Sequence, residues 1–318
     1  MSVVAVTGCS GYIGSRLQRF LDDDDTVSKV IGVDVNPPSF DSPKLEFHRL
    51  DVRDRVISSL FREKGVDRVV HLAFVMNPIH DEALMHNIDL GGAANVLAAT
   101  ASCGASHLVV ASSTTAFGAF PDNPQWLTEE DPVRRFANYY YSADKYDVEM
   151  MLRQFSTGFP AVKVAIVRPC FVFGPNIDNF VSRFILRLPV IPGLGGARPE
   201  LQFVHEDDAA EVFMRVLEKN ASGSFHAIGE GTVNLGRIAE LAGKRILDLP
   251  PALVSGAVNV LWKLHAPFIE GPAGMLDFIR HRWTATDAIT REKLGIVSMR
   301  TSEEVLRLML ESKGAFKQ

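Results

Sequence analysis

Short apolar runs alternate with longer amphipathic stretches through the first half of the chain. Several of these runs are almost continuously hydrophobic, which is typical of parallel strands that are covered on both faces. Predicted strands lie at residues 3–6, 29–34, 45–50, 68–73, 107–112 and 162–167, and predicted helices at 13–21, 54–64 and 89–102. Alternating strands and helices predict an α/β fold built on a doubly wound parallel sheet.

The pattern changes after Pro169. Prolines and glycines crowd residues 175–199, around an amphipathic segment at 180–188. A helix at 207–219 and a strand at 224–228 predict a return to the sheet, and the chain from Leu235 onward is predicted to be helical. We therefore expect a domain of residues 1–174 with a return at about 203–229, and a smaller, mostly helical C-terminal lobe of residues 175–202 and 230–318. A substrate cleft is expected between them, above the carboxyl ends of the strands.

A glycine-rich turn follows the first predicted strand. Gly8, Gly11 and Gly14 are spaced G-x-x-G-x-x-G and lead directly into the first helix. Such glycines allow a sharp turn, a close approach of backbone to a pyrophosphate and tight helix packing, while the helix N-terminus attracts the anion. The turn predicts a dinucleotide site on a Rossmann-type sheet, although three glycines in seven residues are also compatible with a plain loop.

An acid ends the second predicted strand. Asp34 lies 20 residues beyond Gly14 and precedes Asn36. A carboxylate there accepts hydrogen bonds from the adenosine ribose and repels a 2′-phosphate, so it favours NAD over NADP. The alternative is an ordinary acid in a surface turn.

Composition narrows the class of protein without naming an activity. The chain has 318 residues, a net charge of −5 and 47% hydrophobic residues, as expected of an ordinary globular protein. Nothing in its charge pattern suggests a nucleic-acid partner, and its three dispersed cysteines lack metal-ligand spacing. Because the first strand starts at the N-terminus, we expect no signal peptide and a cytoplasmic protein.

Neither a membrane nor a metal is expected as a partner. The apolar stretch near residues 253–264 is interrupted by polar residues and is too short to span a bilayer. The acids after His205 stand where a helix should begin, and the helix dipole favours acids there. We therefore expect no metal site.

A tyrosine and a lysine with helical spacing carry the candidate chemistry. Tyr141 and Lys145 are four residues apart and would share one helix face, where the ammonium would lower the pKa of the phenol toward working pH. Alone, such a pair is more often a surface contact. Ser112 and Ser113 follow the fifth predicted strand, at the sheet edge where ligands bind.

Taken in order, these segments make the chain similar to the extended short-chain dehydrogenases/reductases, also called the NAD-dependent epimerase/dehydratase family. Most of the chain resembles that family. The segments that carry the resemblance are residues 7–14, Asp34, residues 50–52, residues 71–73, Asn87, residues 112–118, Tyr141 with Lys145, residues 168–175 and residues 203–209.

The resemblance implies a role for each matching residue. Tyr141 would be the acid/base, Lys145 would hold the nicotinamide ribose, and Ser113, with Ser112 as second choice, would bind the substrate oxygen. The residues that it assigns to NAD are Gly8, Gly11, Tyr12, Ile13, Gly14, Asp34, Asp51, Val52, Leu72, Ala73, Ser112, Tyr141, Lys145 and Pro169. A homodimer is usual in the family.

The substrate end departs from the family pattern. Leu201 stands where nucleotide-sugar epimerases of the family carry an arginine that grips the substrate diphosphate, and Arg198 is a doubtful replacement. The tail is rich in apolar and aromatic residues, which form a core, an oligomer face or a pocket for an apolar substrate. We therefore expect an NAD-dependent oxidoreductase acting on a secondary alcohol or ketone. The alternatives are a nucleotide-sugar 4-epimerase or dehydratase that retains NAD, and a non-catalytic NAD-binding sensor.

Overall fold

A seven-stranded sheet forms the centre of the molecule in a computed structural model, which describes residues 1–316. Its strands are β1 Ser2–Thr7, β2 Val27–Asp34, β3 Leu45–Arg49, β4 Arg68–His71, β5 His107–Ala111, β6 Lys163–Pro169 and β11 Gly223–Ala227. Their order across the sheet is β11-β6-β5-β4-β1-β2-β3, and every neighbouring pair is parallel. The structure thus confirms the predicted doubly wound Rossmann-type sheet.

Helices cover both faces of the sheet, and separate hydrophobic clusters fill the space between the layers. The α-helices are α1 Tyr12–Asp23, α2 Val56–Glu63, α3 Glu82–His86, α4 Gly92–Cys103, α5 Tyr140–Gly158, α6 Phe180–Arg187, α7 Glu206–Glu218, α8 Leu235–Leu241, α9 Pro251–Lys263, α10 Ala288–Leu294 and α11 Ser302–Ser312. On one face α1 packs against α7, and on the other α2 packs against α4.

Three small two-stranded sheets stand outside the central sheet. Their strands are β7 Phe171–Phe173 with β10 Phe203–His205, β9 Glu200–Leu201 with β12 Val233–Asn234, and β8 Val190–Leu194 with β13 Arg245–Leu249. β13 corrects the expectation that the chain is helical throughout after Leu235. The division into two lobes at the stated boundaries stays a prediction.

The helix predicted at 89–102 is longer than expected. It begins at Glu82, where the Asp81 side chain caps the first turn by accepting a hydrogen bond from the Leu84 amide at 2.8 Å. A π-helical turn, Asn87–Gly91, then joins α3 to α4. Single π-turns inside helices are frequent at functional sites, because they shift side chains out of the regular helical register.

Strand register brings the candidate residues together. Thr7 pairs with His71 and Ala111 with Val167, so β1, β4, β5 and β6 end at the same edge of the sheet. The glycine-rich turn and the Ser112 segment follow strands that end at this edge, and Pro169 is the last residue of β6. None of the described helices is long and apolar enough to cross a membrane.

Candidate active site

The glycine-rich turn has the backbone geometry that its sequence predicts. Gly8 adopts φ +75°, and a Cβ added there would lie 2.6 Å from the Ala73 amide nitrogen. A Cβ on Gly14 would collide with the Gly8 carbonyl oxygen. Both glycines are therefore required, the first by its left-handed conformation and both by close backbone packing.

Helix α1 begins at this turn without a side-chain cap. Gly11 is its N-cap residue, and the first helical residues, Tyr12, Ile13 and Gly14, lie on the wall of a cavity of about 610 Å³. Amide groups in the first turn of a helix have no intrahelical acceptor, and the dipole makes this end positive. One end of the cavity is therefore lined by an uncapped, positive helix N-terminus, as the glycine-rich turn predicts.

The predicted NAD residues divide into two groups. Those that line the cavity are Gly8, Gly11, Tyr12, Ile13, Gly14, Leu72, Ser112, Tyr141, Lys145 and Pro169. Those that the described structure places off its wall are Asp34, Asp51, Val52 and Ala73. Of the second group, Ala73 still contacts the turn through its backbone beside Gly8.

The two acids of the second group are engaged with neighbours. Asp34 accepts hydrogen bonds from the backbone amides of Ser10 at 3.1 Å and Asn36 at 3.0 Å, which ties the end of β2 to the glycine-rich turn. Asp51 forms a bidentate pair with Arg53 at 2.7 and 2.9 Å, and this pair lowers the pKa of Asp51.

Tyr141 and Lys145 lie on α5 and face the cavity beside Ser113. The Tyr141 hydroxyl lies 3.8 Å from the Met76 sulfur. The Lys145 ammonium donates to the Ala111 carbonyl at 2.9 Å and lies 3.2 Å from the centre of the Phe74 ring. The spacing of four residues thus puts both groups on the cavity side of one helix.

The electrostatics of this pair differ from the expectation. Burial and the nearby Asp89 carboxylate raise the pKa of Tyr141, whereas the nearby Ser113 hydroxyl lowers it in part. Burial also lowers the pKa of Lys145 to about 7. The expected lowering of the Tyr141 pKa by Lys145 is therefore wrong for the structure described, because desolvation dominates both groups.

Asp89 is a buried acid near Tyr141 and Lys145 that the sequence did not predict. It is completely buried on the π-turn, and one carboxylate oxygen accepts a hydrogen bond from the Val75 amide at 2.9 Å while the other has no described partner. Burial raises its pKa to about 7, and the positive charge of Lys145 opposes that shift. The sequence placed Asp89 at a helix start, where acids are ordinary. Its burial follows from the earlier start of the helix.

A second missed group supports the strand ends. Glu149 and Arg168 form a fully buried bidentate pair, with distances of 2.8 and 2.9 Å. Glu149 also accepts a hydrogen bond from the Ser112 hydroxyl at 2.6 Å. Glu149 is four residues beyond Lys145, so helical spacing would have placed it on the same face. The pair links α5 to the ends of β5 and β6, beside Pro169.

The far wall of the cavity is mostly apolar. It is formed by α6, the residues around β9 and a 3₁₀ segment, Ala273–Ile279, and includes Phe184, Leu201, Met275, Leu276 and Phe278. Among residues 1–316, the lining of the whole cavity includes two charged side chains, Lys145 and Asp178. Arg198, the doubtful replacement for the missing arginine, is off the wall and bound to Asp248 at 2.6 and 3.0 Å.

Comparisons with known proteins agree with this architecture. The sequence model of the NAD dependent epimerase/dehydratase family matches residues 4–236. Protein Rv0501 of Mycobacterium tuberculosis is 29% identical over 78% of this chain and 68% of its own length. A putative UDP-glucose 4-epimerase of Methanocaldococcus jannaschii is 26% identical over 68% of this chain and 73% of its own length.

Solved structures share the fold. MoeE5 in complex with UDP-glucuronic acid and NAD superposes with a TM-score of 0.76 over 98% of this chain and 99% of its own, at 22% identity. At that identity the likeness concerns the fold.

Proposed function

Because this chain belongs to the NAD dependent epimerase/dehydratase family, we propose that it transfers hydride between NAD and the carbon of a secondary alcohol or ketone. In this proposal Tyr141 is the acid/base, Ser113 binds the substrate oxygen and Lys145 holds the nicotinamide ribose. The observation that carries the proposal is that one cavity contains the glycine-rich turn at one end and all three of these side chains further in. The family's cofactor, NAD, fits this arrangement.

The fit to NAD is supported by backbone rather than charge. The first turn of α1 offers amide groups at the cavity wall, and the turn that positions them is packed so closely against backbone that Gly8 and Gly14 have no room for a Cβ. Such a cradle suits a pyrophosphate. When bound, NAD supplies the chemistry by accepting a hydride from the substrate carbon or returning one to it.

The protein's own residues then transfer one proton and hold the substrate oxygen in place. A phenol with a raised pKa keeps its proton at neutral pH, so Tyr141 is suited to protonating a ketone oxygen as the carbon is reduced. In the reverse direction Tyr141 acts after it has lost its own proton, and its oxygen then takes the hydroxyl proton. Ser113, whose hydroxyl lies 3.3 Å from the Pro169 carbonyl, fixes the substrate oxygen beside the phenol.

We further propose that the substrate is apolar and carries no phosphate. Lys145 is assigned to the cofactor ribose, and the other charged group on the described wall is Asp178, an acid. A diphosphate requires charge-assisted donors, for which arginine is best suited. Leu201 is buried at the position where the family pattern has such an arginine.

A nucleotide-sugar 4-epimerase or dehydratase remains the second candidate. It is supported by the 26% identity to the putative UDP-glucose 4-epimerase. The same Tyr141, Lys145 and Ser113 would serve it, because an epimerase repeats the hydride step on the other face of the ketone. The two candidates differ in whether the substrate is phosphorylated and whether NAD is exchanged or retained.

Tyr141→Phe tests the proposed acid/base. We expect the rate of NAD-linked turnover to fall about 10³-fold, the range of a lost general acid, while NAD affinity measured by calorimetry stays the same. Tyr140→Phe is the matched control, because it removes only a hydroxyl that donates to the Ile79 carbonyl at 3.1 Å. Turnover that survives Tyr141→Phe unchanged while NAD still binds would instead support the non-catalytic sensor.

A further inference from the structure

The segment between β4 and α3 forms part of the cavity mouth. Residues 72–81 adopt neither helix nor strand, and Phe74, Met76 and Asn77 among them line the cavity. Met76 is also 39% exposed, so its side chain stands where the cavity meets solvent. We call residues 74–80 the strap.

The strap is held by side chains of other elements rather than by backbone pairing. The Val75 amide donates a hydrogen bond to Asp89 at 2.9 Å, and the Ile79 carbonyl accepts one from the Tyr140 hydroxyl at 3.1 Å. In the described part of the chain, no backbone-to-backbone hydrogen bond involves the strap. Segments with so few backbone hydrogen bonds move locally at low cost. Met76 therefore lies on a movable segment, between two points that are fixed.

Met76 covers the hydroxyl of the proposed acid/base. Its sulfur lies 3.8 Å from the Tyr141 oxygen, and within residues 1–316 no other atom accepts a hydrogen bond from that hydroxyl. Burial raises the pKa of Tyr141, so the phenol keeps its proton at neutral pH and has one to donate. A thioether sulfur is a weak acceptor, whereas a ketone or alcohol oxygen is a stronger one. A substrate oxygen is therefore able to replace the sulfur.

We propose that Met76 is a removable cap on Tyr141, which the substrate oxygen displaces when it binds. The inference rests on the proposed function, because it takes Tyr141 as the acid/base. In this exchange the phenol hydroxyl turns from the sulfur to the substrate oxygen, and the Met76 side chain moves toward the solvent that it already borders. No covalent bond changes, since one hydrogen-bond acceptor replaces another.

The side chain of methionine suits a removable cap. It is unbranched and has three rotatable bonds, so it leaves the hydroxyl by rotation alone. The other two side chains of the proposed site are held in place, because Ser113 and Lys145 each donate to a backbone carbonyl, at 3.3 and 2.9 Å. A substrate oxygen therefore gains its place at Tyr141 by moving Met76.

The exchange selects for an acceptor oxygen. Moving the Tyr141 hydroxyl away from the sulfur costs one hydrogen bond, which a substrate oxygen restores and a hydrocarbon of the same shape does not. The cavity wall is mostly apolar and by itself accepts either molecule. The cap thus favours, among apolar ligands, those that present a ketone or hydroxyl oxygen to Tyr141.

Methyl NMR of the methionines tests the cap without turnover. The chain has nine methionines, and the signal that disappears in Met76→Leu is that of Met76. We expect Tyr141→Phe to shift the Met76 signal, because the hydroxyl that binds the sulfur is removed. Met309, which is fully buried on α11, should keep its signal. A Met76 signal that does not respond to Tyr141→Phe would overturn the proposal.

A second titration adds cyclohexanone to protein saturated with NAD. Oxidised cofactor and a ketone do not react with each other, so the complex stays intact during the measurement. We expect the Met76 signal to move as the ketone binds. Met76→Ala should lower the dissociation constant of the ketone about fivefold, or about 1 kcal/mol, because no cap is displaced. Met275→Ala, which shortens another methionine on the cavity wall, should bind the ketone no more tightly than wild type.

The outcomes separate the cap from the proposed function. The cap is overturned, and the proposed function stands, if the ketone binds while the Met76 signal stays in place or if wild type and Met76→Ala bind it equally. It is also overturned if methylenecyclohexane, which carries a CH₂ group in place of the oxygen, moves the Met76 signal as far as the ketone does. If neither wild type nor Met76→Ala binds the ketone, the proposed function is contradicted and the cap is overturned with it.

Discussion

The two ends of the cavity are specified in different ways. At the cofactor end, the turn from Gly8 to Gly14 is a continuous segment, and its geometry depends on backbone conformation and on missing side chains. At the substrate end, the wall combines segments from α6, β9 and the 3₁₀ segment Ala273–Ile279, which are distant in the sequence. The first end can be recognised locally, whereas the second exists only after folding.

This difference explains why one fold serves many substrates. The cofactor end tolerates few changes, because a Cβ at Gly8 or Gly14 meets backbone atoms that cannot move independently. The substrate end is made of side chains, so we expect a change such as arginine to leucine at position 201 to alter what the cavity accepts without disturbing the sheet. Function in such folds depends on the site.

The largest effect is expected where backbone alone forms the site. Gly8→Ala should weaken NAD binding about tenfold to a hundredfold, or about 1.4–2.8 kcal/mol, because the new Cβ meets the Ala73 amide and strains a left-handed residue. Calorimetric titration with NAD measures this change.

Gly104→Ala separates strain from contact. Gly104 has nearly the same φ, +74°, but a Cβ there would meet nothing within 4 Å. This control should lose about 1 kcal/mol of folding stability and keep its NAD affinity. Equal NAD affinity in the Gly8 and Gly104 variants would contradict the claim that close backbone packing at Gly8 forms the cofactor end of the cavity.

The sequence predicted the sheet because strand and helix patterns are local. It also predicted the helical pairing of Tyr141 with Lys145, since a spacing of four fixes a shared face. It missed Asp89, whose burial depends on where its helix begins, and the occupied state of Arg198, which depends on Asp248 some fifty residues away. The local hydrophobic pattern of a sequence does not show which charged residues pair with partners far away in the chain. The assignment of each residue to catalysis or NAD stays a prediction.

A smaller effect is expected at Asp34. We predict that Asp34→Asn raises NADP affinity relative to NAD about tenfold, because a charge that repels a 2′-phosphate is removed. Asp41→Asn, an exposed acid that follows in the same connection, is the matched control. An unchanged preference in Asp34→Asn would mean that this acid serves only the turn, through its hydrogen bonds to Ser10 and Asn36.

The smallest effects concern the pH dependence of alcohol oxidation, which requires Tyr141 without its proton. The Asp89 carboxylate raises the pKa of Tyr141, and the nearby Ser113 hydroxyl lowers it. Asp89→Asn should therefore move the rising limb of the pH–rate profile to lower pH, and Ser113→Ala should move it to higher pH. We expect each shift to be about one pH unit. Because the pKa of Asp89 is itself raised to about 7, its carboxylate is charged, and acts on Tyr141, above that pH.

Opposite shifts are a demanding test, because a variant that merely loosens the fold would move both profiles in the same direction. Initial rates measured across a pH series, with NAD saturating at every point, give the rising limb of the pH–rate profile for each variant. Shifts of the same sign in both variants would contradict the placement of Tyr141 between these two groups.

The central claim is that a cofactor end of the family's kind is combined with a substrate end that lacks a phosphate clamp. The most direct measurement follows the absorbance of reduced cofactor while purified protein is offered NAD with apolar secondary alcohols and, separately, with sugar nucleotides. We predict that added NAD is reduced with an apolar alcohol and that sugar nucleotides give no turnover. Tightly retained NAD, together with turnover of a UDP-hexose without added cofactor, would contradict the claim.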